Sequence, residues 1–216
     1  MKIEIWSDVM CPFCYIGKRR FESALEQFPG KEHVEIEWKS FQLNPALKTD
    51  PSKNINEFLA EHKGISVAQA KQMNDRVTAM ANEVGLQYDF DKAIVANSFD
   101  AHRLSHFAKK HGLQNTVEEL LFKAYFTEGK NTADQSVLTA IAVEAGLNSQ
   151  DVRAMLTSNE YTEDVNNDIY EAQQVGAHGV PFFVFDNRYA VSGAQPSQLF
   201  SEMLTKAWGE HQQSSL

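Results

Sequence analysis

Two thiols give this chain its chemistry. Cys11 and Cys14 are the only cysteines among 216 residues, three apart in the run Cys11-Pro12-Phe13-Cys14. At the start of a helix, that spacing puts both sulfurs on one face with Cα atoms about 5 Å apart, a separation a disulfide tolerates. Cys11 then meets the unpaired N–H groups and positive dipole end of the helix, which favour a thiolate. Pro12 fits the first helical position, where its missing N–H leaves no bond unmade. Such a pair can cycle between dithiol and disulfide: a Cys11 thiolate attacks a substrate disulfide, and Cys14 resolves the mixed disulfide by attacking Cys11. In reverse, the oxidised pair hands its disulfide to a substrate dithiol. Cys11 is expected to be the exposed thiol and Cys14, one turn further in, the sheltered one. Zinc is the competing use of such a pair, but tetrahedral zinc wants four ligands and there is no second cysteine pair. The seven histidines, at 33, 62, 102, 106, 111, 178 and 211, are scattered, so no metal is expected.

The surrounding pattern supplies the strand and helix this chemistry needs. Residues 2–7 alternate as a short strand, and apolar positions at Ile16, Phe21, Ala24, Leu25 and Phe28 make a helical stripe that Pro29-Gly30 ends. Over 33–41 a second strand shows Val34, Ile36 and Trp38 on one face and Glu35, Glu37 and Lys39 on the other, a half-buried pattern. A CxxC beside a βαβ unit favours redox use over metal binding. Residues 42–53, with Pro45 and Pro51, read as a loop. From 54 to 176 no strand signal appears; helices are expected at 66–84, 98–111, 115–127 and 134–145, with another ending at Val175. A glycine follows each, and Ser66, Ser98 and Asp134 are the expected N-caps. Strands return at 182–185 and 189–191 around the turn Asp186-Asn187-Arg188, followed by a helix over 196–208 and a frayed tail over 212–216. The plan is an α/β chain in three segments: a βαβ part at 1–53, an all-helical insertion at 54–160 and an αββα part at 161–216.

Composition narrows the function classes. With 20 Lys plus Arg against 29 Asp plus Glu the net charge is −9, which argues against nucleic acid and anionic lipid as partners. No run of about 18 apolar residues exists to span a membrane, and the N-terminus lacks the apolar stretch of a secretion signal, so a cytoplasmic location is expected. No glycine-rich nucleotide loop appears.

The segments Trp6-Ser7-Asp8-Val9-Met10-Cys11-Pro12-Phe13-Cys14-Tyr15-Ile16-Gly17 and Gly176-Ala177-His178-Gly179-Val180-Pro181-Phe182-Phe183 resemble the DsbA family, in its cytosolic FrnE-like branch. Ser98-Phe99-Asp100-Ala101-His102-Arg103-Leu104 and Ala124-Tyr125-Phe126-Thr127-Glu128-Gly129 are similar to that family too, but carry no mechanism. The resemblance implies a thioredoxin fold with a large helical insertion. It also implies a cis Val180–Pro181 peptide facing the CxxC, whose backbone pairs with an extended substrate. Phe13 replaces the histidine expected in periplasmic DsbA, which removes one stabiliser of the Cys11 thiolate and implies a milder oxidant.

The expected activity is therefore dithiol–disulfide exchange with protein or small-molecule thiols. Cys11 and Cys14 are catalytic, Pro12 and Phe13 form the active-site loop, and Val180 and Pro181 dock the substrate. No cofactor is expected beyond the Cys11–Cys14 disulfide, with glutathione a candidate co-substrate and a homodimer compatible with the sequence. Two alternatives come from the same superfamily. One is a glutathione-dependent isomerase or transferase of the 2-hydroxychromene-2-carboxylate isomerase type, whose members carry serine at the first motif position. The other is a non-catalytic thioredoxin-like adaptor. Of the remaining candidates, His102 and His106 lack the intervening glutamate of a zinc protease and read as a helix face. Arg103 reads as an ion-pair residue that could otherwise meet a carboxylate in the cleft. Asp8 reads as a turn residue, and Glu118-Glu119 as a solvated helix face.

Overall fold

The computed structural model describes residues 1–214. The chain forms two compact units, one from residues 1–43 and 166–216, the other from residues 44–165. The sequence divides at 53 and 160 instead. The first offset arises because residues 50–54 pair as a strand within the second unit, where a loop was expected.

The first unit is built on a four-stranded sheet of β1 (Lys2–Ser7), β2 (Glu35–Ser40), β5 (Phe182–Phe185) and β6 (Tyr189–Ser192), in the order β2-β1-β5-β6. β1 runs parallel to β2 and antiparallel to β5, which forms a hairpin with β6. Asp186 and Asn187 both take positive φ in the three-residue turn between the paired Phe185 and Tyr189, a conformation that Asp and Asn tolerate.

Alternation along β1 gives the sheet two different faces. Ile3 and Ile5 stand opposite Phe185 and Phe183, and all four are fully buried. Phe21 of α1 (Pro12–Glu26) and Phe200 of α9 (Ser197–Ser214) close over them, with ring centroids 4.7–6.3 Å apart. On the other face Trp6 donates its indole N–H to the Asp168 carbonyl of α8 (Thr162–Gln174). Trp6 packs there with Phe182, Val184, Ala172 and Ala177.

The outward face expected for β2 is instead covered by α8. Lys39 Nζ lies 2.9 Å from Asp168 and 2.8 Å from Glu171, and Glu37 pairs with Lys2. Asp168 also accepts the Ser40 N–H at 2.8 Å. Charged residues can line a covered face when their charges are matched and their lone pairs taken, which alternation alone does not reveal. Burial alone would lower Lys39, but its bonds to Glu171 and Asp168 hold it well above an ordinary lysine.

The second unit contains α2 (Ile55–Lys63), α3 (Val67–Asn82), α4 (Phe99–Lys110), α5 (Gln114–Phe126), α6 (Gln135–Glu144) and α7 (Ser149–Thr157). The pair β3 (Asp50–Asn54) and β4 (Ile94–Val95) completes it. The sequence reading passed over α2, α7 and both short strands. Local chemistry nonetheless marks two of these starts: Asn54 and Glu57 form a capping box on α2, and Asn148 caps α7. Ser66 and Asp134 cap α3 and α6 as expected. Ser98 does not cap α4; Asn97 accepts the Phe99 N–H instead, and the Ser98 hydroxyl is buried. Glu118 is buried rather than solvated and accepts a 2.6 Å hydrogen bond from Ser105. α9 continues to Ser214 where fraying was expected from 212; residues 215–216 of that tail lie outside the described residues.

Candidate active site

β1 ends at Ser7, and a tight turn joins it to α1: the Cys11 N–H donates to the Asp8 carbonyl at 2.9 Å. The buried Asp8 carboxylate holds this turn. It accepts the Leu43 N–H at 2.8 Å and faces the Met10 N–H at 3.4 Å, a turn role as expected. Cys11 is the N-cap of α1 with extended dihedrals, Pro12 opens the helix, and no acid occupies the first turn to offset the positive end of the dipole. The Cys14 N–H donates to the Cys11 carbonyl at 3.0 Å, which fixes the relative placement of the two residues.

No disulfide joins the two cysteines, and both thiols are free. Cys11 is only 3% exposed and Cys14 1%, so the expectation of an exposed Cys11 is corrected. Phe13, at 39%, is the exposed member of the motif. A helix N-terminus directs Cys11 toward the neighbouring loop, and the Cys11 Sγ reaches the Val180 carbonyl oxygen at 3.5 Å. The Val180–Pro181 peptide is cis, as the resemblance implied. Val180 is half-buried, Pro181 is buried, and the Pro181 carbonyl accepts the Gly193 N–H at 2.8 Å. All six residues predicted for the site, Cys11, Pro12, Phe13, Cys14, Val180 and Pro181, thus belong to the first unit.

Burial and neighbouring groups act on the Cys14 thiol. Burial pushes Cys14 well above the ordinary thiol range, and its contact with the Cys11 thiol raises it further. The Ser7 hydroxyl and the Asp8 backbone N–H pull the other way. The pair therefore consists of a thiol at the N-cap position of α1 and a second buried thiol one turn inside the helix.

Two residues that sequence reasoning missed shape this site. Gly17 lies one turn beyond Cys14, where a Cβ would stand 2.9 Å from Pro181 Cγ, so a larger residue would push the loop away from the helix. A glycine inside a helix is unfavourable, and that was the available signal. Ser7 is the polar residue on the face that Ile3 and Ile5 otherwise keep apolar.

Other candidates take structural parts. Arg103 donates to the carbonyls of Met155, Ser158 and Glu160 at 2.6–2.8 Å and pairs with Asp100, so its guanidinium holds the end of α7. His102 and His106 are buried in α4. Among the described residues no three His, Cys, Asp or Glu side chains gather to hold a metal ion. No helix among them is long and apolar enough to cross a membrane.

Known proteins resemble this chain in fold or in sequence. A structure described as a probable DsbA oxidoreductase from Streptomyces coelicolor superposes with a TM-score of 0.92 at 41% identity, over 97% of this chain and 91% of that one. The uncharacterized protein YwbO of Bacillus subtilis is 28% identical over 94% of this chain and 95% of its own length. A cytosolic disulfide reductase, DsbM of Pseudomonas aeruginosa, solved with glutathione, shares the fold with a TM-score of 0.66 at 14% identity over the whole of both chains. Residues 2–205 match the DSBA-like thioredoxin domain, and the chain belongs to that family.

Proposed function

We propose that this protein is a dithiol–disulfide oxidoreductase in which Cys11 is the nucleophile and Cys14 the resolving thiol. The observation that carries this reading is the placement of a free Cys11 at the N-cap of α1, with Cys14 one turn on, its N–H bonded to the Cys11 carbonyl, and the Val180 carbonyl 3.5 Å from the Cys11 sulfur. Cys11 attacks a substrate disulfide and one substrate thiol leaves. Cys14 then attacks Cys11, releasing the second thiol and closing the Cys11–Cys14 disulfide. Val180 and Pro181 dock an extended substrate beside Cys11, and Pro12 and Phe13 form the loop it crosses, with the exposed Phe13 ring as its first apolar contact.

The reaction needs no cofactor beyond the cysteine pair. Protein or small-molecule thiols and disulfides are its partners in the cytoplasm, and glutathione is the candidate co-substrate that returns the pair to its starting state. The glutathione-bound relative with the same fold supports that assignment.

The test is equilibration of the pair in glutathione buffers, read by thiol alkylation, with insulin reduction alongside. A reversible intramolecular disulfide that is lost in Cys11→Ser is expected. The absence of any disulfide would sink the proposal, and glutathione-dependent turnover that survives Cys14→Ala would favour the isomerase chemistry instead.

A further inference from the structure

The β1 face that covers α1 is apolar until its last residue. Ile3 and Ile5 are fully buried, and strand alternation brings Ser7 to the same face at the point where β1 leads into the cysteine turn. The Ser7 Oγ is buried and makes no regular hydrogen bond in the reduced protein. A buried hydroxyl left in this way carries a desolvation penalty that alanine would avoid. Ser7 leads directly into the turn that carries Cys11 and Cys14, and its hydroxyl, with the Asp8 backbone N–H, favours the charged form of the Cys14 thiol.

We propose that Ser7 is a positioning residue for the resolving step, with its hydroxyl held open to donate to the Cys14 thiolate as that thiolate forms. The inference rests on the thiol–disulfide reading and adds to it the group that makes a buried thiolate attainable. The charged groups around Cys14 do not supply this help. The Asp8 carboxylate is turned to the backbone N–H groups of Leu43 and Met10, Lys18 on α1 is paired with Glu22, and β5 brings only Phe182–Phe185. A serine hydroxyl is a rotor that can accept from a thiol and donate to a thiolate, so one side chain serves both states.

The step balances internally. Cys14 attacks the Cys11 sulfur of the mixed disulfide, the Cys11–Cys14 bond forms as the bond from Cys11 to the substrate sulfur breaks, and the departing thiolate ends with the proton Cys14 gave up. The substrate disulfide has then been reduced to two thiols and the cysteine pair oxidised.

The experiment loads Cys11 with glutathione as a mixed disulfide and follows glutathione release against pH in the full chain. Wild type must first form and resolve the adduct; if it does not, the oxidoreductase reading itself fails. Given resolution, Ser7→Ala is expected to slow release about tenfold or more, the value of a hydrogen bond to a charged group. Its pH profile should move to higher pH, while alkylation of Cys11 in the reduced protein stays unchanged. Ser7→Thr, which keeps the hydroxyl, should restore the rate, and Ser7→Val, of the same shape without it, should not. These two variants also decide the matter if Ser7→Ala folds poorly. Release in Ser7→Ala and Ser7→Val at the wild-type rate and pH profile would overturn the proposal.

Discussion

The two faces of the central sheet handle buried polar groups in opposite ways. Under α8, charges are numerous and saturated: Lys39 sits among Asp168, Glu171 and Glu37, and Asp168 also takes the Ser40 N–H. Under α1 the face is Ile3, Ile5, Phe183 and Phe185 until Ser7 and the cysteines, where polar atoms are few and the Ser7 hydroxyl has no hydrogen-bond partner. A matched ionic cluster is costly to disturb and slow to change, whereas a sparse, apolar setting leaves a thiol's protonation and bonding free to switch. The first face holds the fold, and the second can do chemistry.

Replacing groups on each face separates these roles. The largest effect is expected on the thiol face: Cys11→Ser should abolish disulfide exchange while leaving the urea unfolding midpoint of the reduced protein almost unchanged. On the ionic face, Asp168→Ala should lower stability by about 3 kcal/mol, because Lys39 and the Ser40 N–H lose their buried partner together. Exchange in that variant, assayed well below its melting temperature, should persist. Exchange lost together with stability would erase the distinction between the faces. Gly17→Ala sharpens it further. Its helix propensity gain is offset by the contact with Pro181 Cγ, giving a net loss of about 1 kcal/mol and slower exchange as the Val180–Pro181 loop shifts from Cys11.

Alkali should distinguish the faces with the smallest effect. Cys14 is raised in the folded protein, so the folded state keeps a proton that the unfolded chain releases above about pH 8.5. The stability this contributes is complete below that pH and declines as pH rises beyond it. Lys39 is also raised, but its contribution stays complete up to about pH 10.4 and declines only beyond. Urea midpoints of the reduced protein should therefore fall between pH 8.5 and 10, and Cys14→Ala should flatten that fall. An unchanged slope in Cys14→Ala would place the titration elsewhere.

Much of this was legible in the sequence because its signals are local. The strand at 2–7, the CxxC at a helix start, the hairpin with Asp186-Asn187 and the caps at Ser66 and Asp134 each depend on a few adjacent residues. The cis Val180–Pro181 bond followed from family resemblance rather than from the residues themselves. What escaped depends on residues far apart in the chain. Glu37 and Lys39 look solvent-facing until α8, more than a hundred residues later, brings Asp168 across them. The burial of Cys11 and the need for Gly17 both come from the segment around Val180 and Pro181, again distant in sequence. The strand at 50–54 was hidden by its Pro51 and by a partner of only two residues at 94–95. Ser7 was visible as a break in an apolar alternation, but its meaning required knowing which helix covers that face.

Arg103 has a further consequence. The segment from Ser158 to Tyr161 has the marks of a nicking site: it is short, partly exposed, and contains Tyr161 at positive φ. Its carbonyls at Ser158 and Glu160 are drawn onto one guanidinium anchored in α4. A protease must lift an extended stretch of backbone into its own cleft, and here that stretch is tied down by a side chain more than fifty residues earlier. The chain is thus guarded at this loop by a side chain of α4 outside the cysteine site, and weakening that one fork would ease a protease's access to the Ser158–Tyr161 backbone.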